Sequence, residues 1–225
     1  MIHANTSQSH PAIADKILDS AVKLAESSSW ESVRLQHIAQ DLGITLDEIQ
    51  QYYRQKDDLV EAWYDRADRA MLISAAKPDY RALTPHDRLH QSIMTWLDAM
   101  AEHRRVSREM LYYKLEPGHI HLQALGVMRI SRTVQWILES AYSETKNLQR
   151  IFEEITVTGI YLATFSHWMF DHSVNTQETR KFLHGLLYRA ECASQWIQPV
   201  TGVNRNGSSA SPQATKAHGG ENMRG

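Results

Sequence analysis

The stretch Leu35–Leu59, LQHIAQDLGITLDEIQQYYRQKDDL, decides how the rest of the chain is read. It spells a helix, a tight turn, a short helix and the start of a longer one. Ile38, Ala39 and Leu42 share one apolar face at helical spacing. Gly43 ends that helix, as a residue free to take positive φ does. Thr45 and Glu48 have the spacing of a capping box, which satisfies the orphan amides of a new helix. Ile49 and Tyr53 continue the apolar face one turn apart. Two short helices joined at a glycine form a helix-turn-helix, a motif that can lay its second helix in the major groove of DNA.

Outward from this stretch, helical periodicity runs from about residue 11 to residue 198. Ile13, Ile17, Ala21, Leu24 and Ala25 repeat at threes and fours ahead of Ser27-Ser28-Ser29. A long fourth helix is predicted over about 57–76, with Leu59, Val60, Trp63, Ala67 and Met71 on one side and Pro78 as its stop. Thr84-Pro85 opens the next helix as cap and first helical residue. Further helices are predicted over about 105–115, ended by Pro117-Gly118, and over 119–141, 148–170 and 176–197. No strand alternation and no internal repeat is found. From Pro199 the chain turns to Gly, Ser, Asn and Pro, the composition of a disordered tail. The expected organisation is all-α: a flexible arm (1–10), a three-helix helix-turn-helix unit (11–56), a larger helical effector-binding and dimerisation bundle (57–198), and a tail (199–225).

Composition narrows the class. The 225 residues are 42% apolar and 22% charged, as in a soluble globular protein. Cys192 is the single cysteine, which excludes an intrachain disulfide and a cysteine-based metal cluster and fits a reducing cytoplasm. No apolar run is long enough to span a bilayer, and MIHANTSQSH lacks the plan of a signal peptide, so a soluble, cytoplasmic protein is expected.

The central stretch also resembles the DNA-binding domain of the TetR family of one-component bacterial regulators. That family shows an Ile-Ala pair, a Gly five residues after the Ile, a short helix begun by Ser or Thr, and an aromatic followed by Lys and then Leu. Here those places hold Ile38-Ala39, Gly43, Thr45, Tyr53, Lys56 and Leu59. Two positions depart from the pattern: Gln50 stands where a tyrosine is usual, and Arg34 where a Thr or Ser caps the first helix of the motif. The resemblance implies a regulator of double-stranded operator DNA. Arg34, Arg54 and Lys56 are then expected on phosphates, and Thr45, Leu46, Gln50, Gln51, Tyr52 and Tyr53 at or near the groove.

Charge opposes this reading. Between Met1 and Val60 five basic residues face nine acidic ones, a formal net of −4, whereas the whole chain is −2. Phosphate neutralisation calls for the reverse balance. The proposed recognition helix carries Asp47 and Glu48 and no Arg, Lys or Asn, and no basic residue precedes Lys16 to serve as a minor-groove arm. Glu48 is accounted for as the partner of Thr45, and Asp47 suits the first turn of a helix dipole.

The rest of the chain is rich in aromatic and sulfur side chains. As the family resemblance implies an effector between the body helices, Trp96, Met100, Met110, Tyr113, Trp136, Tyr161, Phe165 and Trp168 are the candidate lining for an apolar or amphipathic ligand. The same residue types at helical spacing also suit plain core packing. The resemblance further implies a homodimer through the last two helices. Residues 155–170 and 182–196 are apolar enough for that, and Gly159, Ala163 and Ser166 allow close approach. A second resemblance is confined to about one helix and a turn. Ile160-Tyr161, Thr164, Trp168, Asp171, Ser173, Thr179 and Phe182-Leu183 are similar to the C-terminal region of a TetR-fold lipid-binding family of ubiquinone biosynthesis. That family implies an isoprenoid lipid ligand without DNA binding. Asp171 and Ser173, with Asn175 and Thr176, equally suit a loop that caps the final helix. No metal, cofactor or catalytic site is expected: HExxH, GxSxG, Walker and GxGxxG patterns are missing, His119-x-His121 points two ways on a helix, and Glu153-Glu154 lacks an i+3 histidine.

Overall fold

A computed structural model describes residues 9–115, 120–141 and 148–197. The arm before Ser9, Pro117-Gly118, His119 and the tail from residue 198 lie outside the described residues. Nine α-helices and no strand are found among those described: α1 (Ser9–Ser27), α2 (Leu35–Leu42), α3 (Leu46–Gln50), α4 (Lys56–Ala75), α5 (Pro85–Asp98), α6 (Arg104–Leu115), α7 (Ile120–Ser140), α8 (Leu148–Trp168) and α9 (Gln177–Ile197). Short 3-10 turns at Pro78–Ala82, Ala101–His103 and Val174–Thr176 join them.

Local chemistry explains the boundaries. Thr84 Oγ1 accepts from the Asp87 amide at 3.1 Å, and Pro85 follows as the first helical residue. Asp58 Oδ2 takes the amides of Arg54 (2.8 Å) and Gln55 (3.2 Å), which fixes the start of α4. The α8–α9 turn is held by Asp171. Its Oδ1 accepts from the Ser173 amide at 2.7 Å, and its Oδ2 from the amide (2.9 Å) and hydroxyl (2.6 Å) of Thr179. Burial pushes the Asp171 carboxyl up, but these bonds outweigh it and leave the group well below the usual carboxylate range. The capping role expected of this loop is therefore what its carboxylate performs. Asn175 and Thr176 both take positive φ in the same turn, a strained setting for the β-branched Thr176.

One hydrophobic core runs through the molecule. Ile17, Ala21, Ile38 and Ile49 of the first three helices are continuous with Leu59, Trp63 and Ala67 of α4, and these with Ile93, Trp96, Val134, Phe165 and Leu183 beyond. α4 is the spine: it packs on α1, α5 and α7. Its other face is acidic at 57, 61, 65 and 68, one turn apart each time. Lys114 of α6 bonds Asp57 (2.9 Å) and Glu61 (2.6 Å). Arg129 of α7 bonds Asp68 (2.8 Å) and Asp65, and Arg132 reaches Glu61 (3.1 Å) and Asp65 (3.3 Å). This ladder ties α4 to α6 and α7 along its length.

Candidate nucleic-acid interface

The helix-turn-helix is built as its residues require. Gly43 sits at φ +66° and ψ +31°, and its amide closes on the last turn of α2. A Cβ there would meet nothing within 4 Å, so the glycine is needed for its backbone angle and not for room. Two residues on, the Glu48 amide donates to Thr45 Oγ1 (3.2 Å) and the Thr45 amide to Glu48 Oε2 (2.8 Å). The Thr45 amide bond, and after it one from the Thr45 hydroxyl to the same Oε2 (3.0 Å), hold the Glu48 carboxyl below its ordinary pKa. Ser20 Oγ of α1 donates to Asp41 Oδ2 (2.8 Å), fastening α2 to α1. Ile38 and Ile49 are fully buried in the core they share with α1, which fixes the face α3 turns outward. An open groove of about 650 Å³ results, lined by Arg34, Leu35, Gln36, Leu46, Asp47, Gln50, Tyr53 and Arg54.

Of the residues expected at the DNA face, Arg34, Leu46, Gln50 and Arg54 are exposed and line the groove, Thr45 and Gln51 are exposed outside its lining, and Tyr52 is half-buried. Two are placed differently. Tyr53 is buried, and its hydroxyl donates to the Ala14 carbonyl of α1 (3.1 Å), so it touches the groove only from below. Lys56 turns its ammonium inward. It donates to the carbonyls of Trp30 (2.5 Å) and Glu31 (3.0 Å) and lies 5.0 Å and 5.3 Å from the ring centres of Trp30 and Tyr113. Burial lowers its pKa to about 8, the Arg34 charge adding to the effect and Glu31 opposing it. The sequence alone marks Lys56 as a cation after an exposed loop; the carbonyl cage comes from the α1–α2 connection folding back over it.

The acidic balance also has a structural answer. Of the nine carboxylates before residue 60, eight have partners among the described residues. Asp15 and Asp19 pair with Arg66, Glu26 with Arg105, and Asp57 with Lys114. Asp41 accepts from Ser20, Asp47 from Gln51 (3.3 Å), and Glu48 and Asp58 are caps. The negative charge is thus largely committed to holding the unit together and docking it, while Arg34 and Arg54 stay on the groove rim.

With this geometry in place, comparison with known proteins is informative. No protein-family model matches the chain. No curated protein matches it either. Among solved structures, a TetR transcriptional regulator from Nitrosomonas europaea ATCC 19718 is 48% identical, with 80% of this chain and 99% of that one covered and a TM-score of 0.73. The chain belongs to the TetR family of transcriptional regulators. A TetR regulator from Rhodococcus sp. RHA1, at 17% identity, 80% and 97% coverage and a TM-score of 0.58, shares the fold. These neighbours favour the regulator over the lipid-binding alternative, whose Asp171 and Ser173 are already occupied in capping α9.

In the body of the regulator, six of the eight residues expected to line a pocket are core. Trp96 meets Tyr161 and Phe165 edge-on at 5.3 and 5.5 Å, and Phe165 stacks on Trp168 at 5.9 Å. Met100 and Met110 are equally buried. Tyr113 stands beside the Lys56 ammonium, and Trp136 is 43% exposed on α7. The polar feature within this core was not legible from the sequence. Asp68 accepts from Trp96 Nε1 (2.7 Å), Thr133 Oγ1 (3.1 Å) and Arg129, and burial nevertheless raises its pKa. Among the described residues no group of three His, Cys, Asp or Glu side chains is placed to hold a metal ion, and no helix is long and apolar enough to cross a membrane.

Proposed function

We propose that this regulator binds operator DNA through the α2–α3 groove as a two-fold dimer, and that a small apolar or amphipathic effector in the body controls the binding. The groove carries the reading: it combines an exposed, capped short helix with Arg34 and Arg54 on its rim. Arg34 and Arg54 hold phosphates, while Leu46 and Gln50 face the bases. Tyr53 and Lys56 support the unit from inside.

Dimerisation is supported by an uncovered apolar stripe. Ile151, Phe152, Ile155, Leu162 and Phe170 on and just beyond α8 are exposed, with Phe182 and Tyr188 of α9 beside them. Gly159 and Gly185 lie in open space on the same two helices, where a neighbouring backbone can approach. A dimer presents two grooves to half-sites about one DNA turn apart. An effector that separates the rings of Trp96, Tyr161 and Phe165 would press on α4, whose first residue anchors the helix-turn-helix. It weakens DNA binding only if it favours one of two α4 positions over the other.

Fluorescence anisotropy against DNA from upstream of its own gene, at several salt concentrations, tests the reading. Saturable binding that beats scrambled DNA supports it. With two phosphate arginines per protomer, the logarithmic salt slope is expected near about −4 for a dimer. An absence of binding at low salt removes the groove from the DNA face.

A further inference from the structure

We infer that Leu46 and Gln50 are the base-reading pair of this regulator and that each half-site presents them with a thymine and an adenine close together. The inference rests on the groove being the DNA face, and it adds which bases that face selects.

The other side chains of the short helix are spoken for. Thr45 and Glu48 cap each other, Ile49 is buried, and Gln51 Nε2 donates to Asp47 Oδ2. Asp47 is left as an acceptor already bonded, and its charge is repelled by phosphate. Leu46 and Gln50 remain. Leu46 is 53% exposed in the first turn, a large apolar side chain left about half uncovered. Gln50 is exposed one turn later on the same side, and no hydrogen bond within the described residues occupies its amide. Both line the groove between Arg34 and Arg54.

Their chemistry selects the bases. Leucine has no polar atom, and the one apolar feature of the major groove is the thymine 5-methyl group. A glutamine amide offers one donor and one acceptor side by side, the pattern that matches adenine N7 and N6. Four residues of helix rise span ~6 Å, or about two base-pair steps of 3.4 Å. The two contacts therefore fall within about two steps of one another. The protein reads methyl groups and an adenine edge, with little charge, which suits an acidic helix.

The test uses the full chain. Selection from random duplexes at low salt is expected to enrich half-sites with a T and an A no more than about two steps apart. Replacing that thymine by deoxyuridine removes only the methyl and should weaken wild-type binding about fourfold. Leu46→Ala should bind the two duplexes equally. Placing 7-deazaadenine at the adenine should weaken wild-type binding about tenfold and leave Gln50→Ala indifferent. Circular dichroism checks that both variants fold, as their exposure predicts. If wild-type protein ignores the methyl, or Leu46→Ala still senses it, the pair does not read these bases although the groove still binds DNA. If no duplex is enriched and none binds at low salt, the DNA face itself is misplaced and the inference falls with it.

Discussion

Arg54 and Lys56 are two residues apart and carry the same charge, yet they stand in opposite roles. Arg54 is exposed on the groove rim, whereas Lys56 donates to two carbonyls and faces two aromatic rings. Arg54→Ala should therefore make the salt slope of DNA binding shallower by about one per protomer while leaving the melting temperature nearly unchanged. Lys56→Ala should do the reverse, costing about 1–2 kcal/mol in denaturant unfolding with the slope retained. Equal loss of slope in the two variants would return Lys56 to the phosphates. Gly43 gives a second residue-scale expectation. Gly43→Ala meets no atom, so its whole cost is the left-handed backbone, about 1 kcal/mol, and Gly43→Asn should recover part of it. A clash-sized loss of several kcal/mol in urea titration would contradict this. At this scale the sequence was most legible where chemistry is local. The capping box and the glycine turn were readable because their partners lie within a few residues. Tyr53 and Lys56 were not, because Ala14 and Tyr113 come from other helices and Trp30 from the α1–α2 connection.

Between elements, the ties are ionic and imidazole-based. Lys114 is 5% exposed and joins α6 to Asp57 and Glu61 of α4. Lys114→Met leaves Asp57 charged and buried without its partner, and should destabilise the fold by about 3 kcal/mol. Asp57→Asn combined with Lys114→Met should restore much of the loss, so a double-mutant cycle in guanidinium that shows plain additivity would disprove the pairing. The α5–α9 joint is built differently. His184 of α9 lies 4.9 Å from His86 and 6.4 Å from His90 of α5, between ring centres. His86 also faces Glu191 at 3.5 Å, and His90 Nε2 bonds the Arg180 carbonyl at 3.2 Å. Burial lowers the His90 pKa; the Arg180 carbonyl opposes this, while the charges of Arg180, His184 and His86 add to it. Because the folded form holds the proton more weakly than the unfolded one, stability falls as pH drops below about 6.5 and continues to fall through the lowered pKa. Melting temperatures from pH 8 to 5 should decline, and His90→Gln should flatten the decline. A profile unchanged by that substitution would take His90 out of the acid response. Helix order and ends were legible from periodicity and caps to within a residue or two. The α4 ladder and this histidine joint were not, because each draws on helices far apart in the chain.

For the whole molecule, the apolar stripe of α8 and α9 stands uncovered among the described residues. Ile155 is 64% and Phe152 70% exposed, whereas Ile160, Tyr161 and Trp168 on the opposite face of α8 are buried. A helix apolar on both faces is covered twice, once by its own core and once by a neighbour. The stripe carries small residues, Gly159 and Ser166, at the spacing that lets a second helix approach closely, and it continues onto α9 through Phe182 and Tyr188. Its consequence for DNA binding is arithmetical. On the proposed DNA face, one groove with two rim arginines would make few phosphate contacts, whereas two grooves held at a fixed separation would engage one duplex together and gain from effective concentration. Ile155→Asp touches no described core contact, so each protomer should fold as before by circular dichroism. Burying an unpaired carboxylate at a helix–helix contact should instead break the dimer. Sedimentation velocity is then expected to show a monomer, and anisotropy a loss of operator affinity of about a hundredfold or more, with the residual binding insensitive to half-site spacing. A variant that stays dimeric would move the interface off this stripe. A monomer with undiminished affinity would mean that a single groove suffices, and the acidic unit would then need phosphate contacts beyond Arg34 and Arg54.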